Sequence, residues 1–301
     1  MKRFHFVLIA WFTLASWLMS AERGGVIFCS YNLKNYLEME RTTKGEAKPD
    51  APKPASEKAA VVRFIADIQP DILGICEIGS VEDLKDLQDR LKEAGVDLPN
   101  FEYCHGADPH RRLGLLTRFP ILARESQTDL KYLIGDQIMP VQRGFLDCTV
   151  ELKSGFHLRC VGAHLKSKRP VPDADEALMR RNEAHLLRKH LDAILQPSPD
   201  TKLLLYGDFN DERNSASLVE ISGVRGAATG MQDLFLNDSR KERWTHYWQF
   251  EDIYSRLDYI FVSRPLNGYI ARRESFIYDN PSYYQGSDHR PVVTKIYLTK
   301  K

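Results

Sequence analysis

Three short segments set carboxylate or amide groups beside apolar runs: Glu77 after Asp71-Ile72-Leu73-Gly74-Ile75-Cys76, Asp208 and Asn210 after Leu203-Leu204-Leu205-Tyr206-Gly207, and Asp288 in Ser287-Asp288-His289. Strand ends are where α/β folds collect functional side chains on a rigid support. Hard oxygen donors of this kind suit Mg²⁺ or Mn²⁺, which use one or two carboxylates and keep several waters. An ion so held polarises a phosphoryl oxygen and stabilises charge on the leaving oxygen.

Asp208-Phe209-Asn210 is the most telling of the three. Its i, i+2 spacing sends both polar groups the same way, and Gly207 lets the backbone turn closely. The carboxylate can accept a proton from water, and the amide can donate to a phosphate or to the nucleophile. The bland alternative is a polar turn, because Asp and Asn favour turns anyway. Asp258 lies inside Arg256-Leu257-Asp258-Tyr259-Ile260, where a charge is costly unless paired. Pairing with His289 would relieve that cost and orient the imidazole. Taken alone, His289 reads equally as a surface histidine beside a loop aspartate.

His164 ends the run Cys160-Val161-Gly162-Ala163 and precedes Leu165-Lys166-Ser167-Lys168-Arg169, a setting that suits donation to a phosphate oxygen. The alternative is a strand-end histidine bonded to backbone. Asn32 ends the first strand, where it can bridge to Glu77. Arg143 opens Arg143-Gly144-Phe145-Leu146-Asp147 and can fork onto phosphate, although a solvated arginine is the default.

The elements that must position these groups alternate between strand and helix. Strands are expected at Val26–Leu33, Asp71–Cys76, Gly114–Thr117, Gly144–Leu152, His157–Leu165, Lys202–Tyr206, Leu257–Ser263 and Val292–Leu298. Helices are expected at Ala59–Ile68, stopped by Pro70, at Val81–Ala94 with Gly95 as its cap, and at Asp173–Leu195. In the last, Ala184, Leu187, Leu191 and Ile194 share one face, with Arg180, Arg181, Arg188 and Lys189 mainly off it. Arg41–Lys58, rich in Lys, Pro, Ala and Glu, reads as an exposed loop. There is no repeat at solenoid spacing, and no composition shift after residue 25 suggests a second domain.

The chain has 301 residues, 43% of them hydrophobic, enough to bury a sizeable core. Lys2-Arg3, the apolar run Phe6–Met19 and the small pair Ser20-Ala21 have the layout of a signal peptide over residues 1–21. The alternative is an uncleaved N-terminal anchor, since bulky Met19 would precede a cut after Ala21. Export to the periplasm or medium is expected, with no stable membrane span left after cleavage. Losing Lys2 and Arg3 leaves 40 basic residues against 41 acidic, a net charge of −1. That balance argues against a tight, processive DNA binder. Five cysteines without CxxC spacing argue against a structural zinc site and a full disulfide framework. Cys148 and Cys160 flank the turn at Ser154-Gly155, and buried free thiols are the expectation there.

In order, Tyr31-Asn32-Leu33, Ile75-Cys76-Glu77, Gly162-Ala163-His164-Leu165-Lys166-Ser167, Gly207-Asp208-Phe209-Asn210, Leu257-Asp258-Tyr259-Ile260 and Ser287-Asp288-His289-Arg290-Pro291-Val292 resemble the motifs of the endonuclease/exonuclease/phosphatase superfamily. The resemblance covers roughly residues 25 to 299. It implies a four-layer α/β sandwich, two mixed sheets face to face with helices outside, and residues 22–301 as one catalytic domain. It further implies in-line attack of water on a phosphoester with Mg²⁺ or Mn²⁺ present. Carried over by motif, Glu77 would be the principal metal ligand, assisted by Asn32 and Asp288. Asp208 and Asn210 would orient nucleophile and phosphate. His289, supported by Asp258, would be general base or transition-state stabiliser. His164 would serve as acid or phosphate donor.

Lys34 stands where several abasic-site nucleases of that superfamily place a further acid, and Ile78-Gly79 follow Glu77 without the arginine of DNase-like members. No tandem aromatic signature marks a membrane-docking sphingomyelinase hairpin, and Tyr283-Tyr284 would face opposite ways. The leading expectation is a nuclease-like phosphodiesterase whose partner is a phosphoester, nucleic acid among the candidates, with no protein partner implied. The alternatives are an exported lipid or sugar phosphodiesterase or phosphatase on the same site, and a non-catalytic binding module on the same fold. Loss of an acid or histidine would mark the last, and none is missing.

Overall fold

The computed structural model describes residues 24–43, 45–153, 155–172 and 174–299, so the leader, Ser154 of the expected turn and Asp173 of the expected helix lie outside the described residues. Strand β1 (Val26–Tyr36) leads into a hairpin of β2 (Met39–Thr43) and β3 (Glu46–Ala51), then helix α1 (Ala55–Ile68) and β4 (Ile72–Ile78). Helix α2 (Val81–Glu93) precedes β5 (Asn100–Cys104), β6 (Arg112–Thr117) and β7 (Ile121–Arg124). A second hairpin, β8 (Lys131–Ile134) and β9 (Gln137–Pro140), comes before the long strands β10 (Phe145–Lys153) and β11 (Phe156–His164). Helix α3 (Glu176–Leu195) returns to β12 (Leu203–Asp208), and α4 (Ala216–Ser222) to β13 (Met231–Asp233). Hairpin β14 (His246–Trp248) and β15 (Ile253–Ser255) opens onto β16 (Asp258–Ser263), α5 (Arg264–Asn267), β17 (Phe276–Ile277) and β18 (Val292–Ile296).

Two six-stranded sheets form the body, in the orders β17-β18-β1-β4-β6-β5 and β13-β16-β12-β11-β10-β7. Each is mixed: β1 runs parallel to β4 and β11 parallel to β12, while their other neighbours are antiparallel. The sheets meet through one apolar layer that includes Phe28, Ile72, Leu115, Leu146, Leu204 and Ile260. On the outer faces α1 and α2 cover the first sheet, and α3 and α4 cover the second. This is the four-layer α/β sandwich that the sequence resemblance implied. Central strands buried on both faces explain why β4 and β12 read as continuous apolar runs rather than alternating ones. Tyr206 spans the interlayer, donating its hydroxyl to Gly114 O at 3.0 Å. A Cβ on Gly74 would come within 2.3 Å of its ring, so the small residue makes the slot that seats it.

Two expectations are corrected. Arg41–Lys58 is not a loop: β2 and β3 pair with each other as an exposed ribbon, and α1 already begins at Ala55. A two-stranded ribbon on the surface needs no apolar alternation. The Arg41 side chain ties it down instead, donating to the carbonyls of Asn35, Leu37 and Ala51. Likewise Arg180 and Arg188 do not lie off the buried face of α3. Both are buried, Arg180 on Asp211 and Lys166 O, Arg188 on Ile221 O and Asp192. Long side chains that reach a partner can be buried where a helical wheel predicts solvent. All five cysteines are buried and free, with Cys148 directly opposite Cys160 in the β10–β11 ladder.

Candidate active site

Sheet topology gathers the chemistry at one edge of the sandwich. His164 ends β11 and Asp208 ends the parallel β12, directly paired. Because β16 is antiparallel to β12, its first residue, Asp258, falls opposite Asp208. In the facing sheet Asn32 pairs with Cys76, which sets Asn32 beside Glu77, and β18 starts opposite Ser30, two residues before Asn32, and brings Ser287–His289 along.

Glu77 has a left-handed backbone, φ 62°, as do Lys34, Asn35 and Asn210. For residues other than glycine this conformation is sparsely populated and clusters at functional sites. Here it turns Glu77 out of the β4 ladder, where Asn35 N–H donates to its Oε2 at 2.9 Å. Asn32 is fixed twice: its Oδ1 accepts from Lys34 N–H, and its backbone O accepts from Ser287 Oγ–H at 2.8 Å. Its Nδ2 therefore faces the acids, 3.0 Å from Asp208 Oδ2 and 3.5 Å from Glu77 Oε1.

His289 and Asp258 are both buried, with Nδ1 and Oδ2 2.7 Å apart. Thr245 Oγ1 accepts from the backbone N–H groups of Leu257 and Asp258 and so fixes the start of β16. Burial alone would lower the His289 pKa, but the Asp258 and Asp208 carboxylates outweigh it and push it up to about 10. Its Nε2 then lies 3.7 Å from Asp208 Oδ2 and 3.5 Å from the Asn32 amide nitrogen. Asp208 is raised as well, but here burial acts the other way. Burial raises its pKa, His289 lowers it, Asp258 raises it again, and the result is about 7. Asn210 N–H donates to Asp208 Oδ1 at 2.9 Å, and Asn210 Nδ2 donates to Leu165 O, leaving one amide N–H over.

His164 is buried, with Nε2 3.6 Å from Asp208 Oδ2 and 4.0 Å from Glu77 Oε1. Burial, then the charges of Arg143, His289 and Arg111, hold its pKa well below the usual range, so it is a neutral imidazole. Its Nδ1 is buried without a hydrogen-bond partner, and so are Nε and Nη1 of Arg143, whose Nη2 sits 3.3 Å from Asp108 Oδ2. Buried donors left open beside a phosphoryl site are where an anionic ligand would complete the hydrogen bonding.

Of the expected metal ligands, Glu77 and Asn32 lie together, and the carboxylate oxygens of Asp288 lie 4.0 Å from the Nε2 atoms of His289 and His246. Burial would raise the Asp288 pKa, but His289, Lys34 and His246 hold it below the usual carboxylate range. Two trios, Asp208–Asp258–His289 and His246–Asp288–His289, each bring ligand atoms within 4.8 Å of one another. The donor set is mainly carboxylate oxygen, and burial, the largest cause of the raised Asp208 pKa, leaves a carboxylate that a countercharge would stabilise. A hard divalent cation fits both features.

No local pattern marks His246, whose ring lies 4.6 Å from that of His289 through an isolated bridge between the two residues. Thr245 and Asp108 were equally silent, because the site residues they hold, Asp258 and Arg143, are distant in sequence. The β14–β15 hairpin was missed as well. It exposes Trp248, Ile253, Tyr254 and, at 92% accessibility, Phe250. Tyr283 and Tyr284 do not face opposite ways, since both border the same cleft beside that hairpin.

A family model described as the Endonuclease/Exonuclease/phosphatase family matches residues 29–289. A search of the curated proteins found no match. Among solved structures, truncated Caenorhabditis elegans TDP2 is 15% identical, with a TM-score of 0.61 over 91% of this chain and 98% of its own. The human Nocturnin catalytic domain with bound sulfate anion is 18% identical, at 0.62 over 92% and 95%. Staphylococcus aureus beta toxin 275-280 is 14% identical, at 0.59 over 89% and 99%.

Proposed function

The chain belongs to the endonuclease/exonuclease/phosphatase family and is a metal-dependent phosphoesterase, and we propose that it is an exported, nuclease-like phosphodiesterase using Mg²⁺. The observation that carries this reading is the buried chain Asp258–His289–Asp208, closed on its other side by Asn32, Glu77 and His164. Glu77 would be the principal ligand, with Asp288, and Asn32 joins only with its amide oxygen turned from Lys34. When bound there, a divalent cation polarises the phosphoryl oxygen and offsets charge on the leaving oxygen.

The protein groups divide the remaining work. Asp208, at about 7, is matched to taking the proton of an attacking water near neutral pH, and Asn210 holds it in place. His289, kept as an imidazolium by Asp258, has Nε2 available to donate to a phosphoryl oxygen that gains charge as the water attacks. Arg143, with neutral His164 beside it, offers unused N–H groups to the non-bridging oxygens. The guanidinium groups of Arg111 and Arg143 around Asp108 favour a substrate that continues as further phosphate on that side. Export rests on the character of residues 1–21. Among the described residues no helix is long and apolar enough to cross a membrane.

A second reading, a lipid phosphodiester, draws on one observation: the exposed Trp248, Phe250 and Ile253 of the hairpin. A metal-supplemented screen of the mature protein against plasmid DNA, RNA, phospholipids, sugar phosphates and simple diester and monoester reporters separates the two. EDTA should abolish turnover and Mg²⁺ or Mn²⁺ restore it. Turnover that survives metal stripping would sink the mechanism, and a preference for phospholipid would replace the nuclease reading.

A further inference from the structure

The β1–β4 ladder is interrupted between Asn32 and Tyr36, and the bulge so formed is held by two different sets of groups. Its N–H groups hold site residues: Lys34 N–H donates to Asn32 Oδ1 at 3.0 Å, and Asn35 N–H to Glu77 Oε2 at 2.9 Å. With Oε2 so engaged, Glu77 Oε1 is the oxygen left toward the site, 3.5 Å from Asn32 Nδ2 and 4.0 Å from His164 Nε2. The carbonyls of the same two residues accept from cations instead. Lys53 Nζ donates to Lys34 O at 3.0 Å, and Arg41 Nη2 donates to Asn35 O at 2.8 Å and to Leu37 O at 3.1 Å.

Lys34 O and Asn35 N belong to one peptide group, planar and trans, whose C=O and N–H point in opposite directions. Lys53 and Glu77 therefore grip the two ends of a single rigid unit. An ammonium on the carbonyl also polarises that unit and strengthens its N–H as a donor. Lys34 and Asn35 both have left-handed backbones, φ 49° and 57°, which residues other than glycine keep only where their surroundings fix them. The two cations supply that fixing.

Lys53 is the unusual member of the pair. Its side chain is fully buried, while its ion-pair partner Glu57, at 2.9 Å, is partly exposed. A pair four residues apart forms as readily in solvent, and burying the ammonium costs free energy unless it gains a further partner. Lys34 O is that partner. The ribbon that delivers both cations has no core of its own to serve, since β3 is exposed along nearly its whole length. Arg41 lies in β2, Lys53 follows β3 by two residues, and Arg41 Nε on Ala51 O at 3.1 Å ties the two strands together.

We propose that Lys53 and Arg41 are positioning residues for the metal site, holding the bulge so that Asn35 N–H fixes Glu77 with Oε1 free for a divalent cation. The inference rests on the assignment of Glu77 as the principal ligand. Neither Lys53 nor Arg41 touches a reacting atom, so losing either should weaken the metal and spare the chemistry.

The test measures Mn²⁺ binding to the purified protein without substrate, from the EPR signal of the free ion, in Lys53→Met, Arg41→Met and Glu77→Gln. Groups that orient a metal ligand are worth ~10–100-fold in affinity, and these act one bond further out, so Lys53→Met and Arg41→Met should each weaken Mn²⁺ at least about 5-fold. On the diester reporter the Mg²⁺ concentration for half-maximal turnover should rise in step, with kcat and KM at saturating Mg²⁺ within about 2-fold of wild type. Arg41, on the surface ribbon, carries the test if Lys53→Met does not fold. Wild-type Mn²⁺ affinity in either folded variant overturns the proposal, as does a fall in kcat that saturating Mg²⁺ does not restore, the mark of a general structural loss. Wild-type affinity in Glu77→Gln removes the Glu77 assignment and the proposal with it. Weakened binding in Glu77→Gln beside unchanged binding in the other two removes the positioning role alone.

Discussion

Asp258→Asn tests the charge logic of the site with almost no change of shape. In the wild type the His289 imidazole, raised to about 10, is essentially all protonated at pH 7. Without Asp258 its pKa should fall toward the ordinary ~6.5, so that only about a quarter remains cationic at pH 7. The population effect is about 4-fold. The larger loss is charge, because an asparagine that presents N–H to Nδ1 leaves the proton on Nε2 but holds the ring neutral. A comparable change in a serine-protease triad costs ~10⁴, and acid–base machinery in general contributes ~10²–10⁴. We therefore expect kcat on a diester reporter with Mg²⁺ to fall ~10²–10⁴ at pH 7. The deficit should shrink about 3-fold at pH 6 and widen about 8-fold at pH 8, following the imidazolium fraction. The pair also contributes stability that is full below pH ~6.5 and lost as pH rises through about 10, so the melting deficit of the variant should fade at high pH. A kcat ratio that stays flat from pH 6 to 8, or turnover within a few-fold of wild type, would refute the reasoning.

Three further outcomes are expected. Glu77→Gln should raise the Mg²⁺ or Mn²⁺ concentration for half-maximal activity at least about 10-fold, and unchanged metal dependence would remove Glu77 from the metal site. Gly207→Ala places a Cβ 1.8 Å from Ala163 O at φ 141°, a backbone conformation alanine rarely adopts, so it should lose about 3 kcal/mol in urea unfolding or fail to fold. Arg290→Met takes the closest cation from the buried Asp238, leaving it Arg240 at 3.6 Å and two backbone N–H groups, and should cost ~1–3 kcal/mol at pH 7. Burial would raise the Asp238 pKa, but Arg290 and the N–H groups of Glu242 and Arg240 hold it low. Its stability contribution is thus full above pH ~3.9 and lost as pH falls through the folded value. The gap between wild type and Arg290→Met should accordingly narrow in acid, and a gap that widens there would assign the loss to packing alone.

Much of the site was legible because its residues sit at the ends of strands that announce themselves. The apolar run Leu203–Tyr206 followed by Gly207-Asp208 fixes both a buried strand and the place where its carboxylate emerges. The same holds for Ile72–Cys76 and Glu77. A charge in an apolar run, as at Asp258, signals a buried partner even before that partner is known. These are local signals, since burial on two faces and the end of a ladder are written within a few neighbouring residues.

Other features depend on which strands become neighbours, and no local pattern encodes that. His246 meets His289 only because the β14 hairpin bridges to the segment before β18, 43 positions on. Arg143 is readable as a phosphate ligand, but its seat on Asp108 comes from a loop packing beside it. The ribbon at Arg41–Ala51 was hidden because its strands pair outside the core and carry no apolar period. The helical wheel missed the burial of Arg180 and Arg188, because their partners Asp211 and Ile221 lie on the connection after β12 and on α4. The aromatic cleft likewise joins residues 244–254 with residues 283–284 across two sheet connections. The chemistry of the strand ends is written locally, in apolar runs that must be buried and polar groups that must then escape or pair. The company each group keeps is a matter of the folded chain, because register and sheet order set contact distances, and through them the charges of Asp208, His164 and His289.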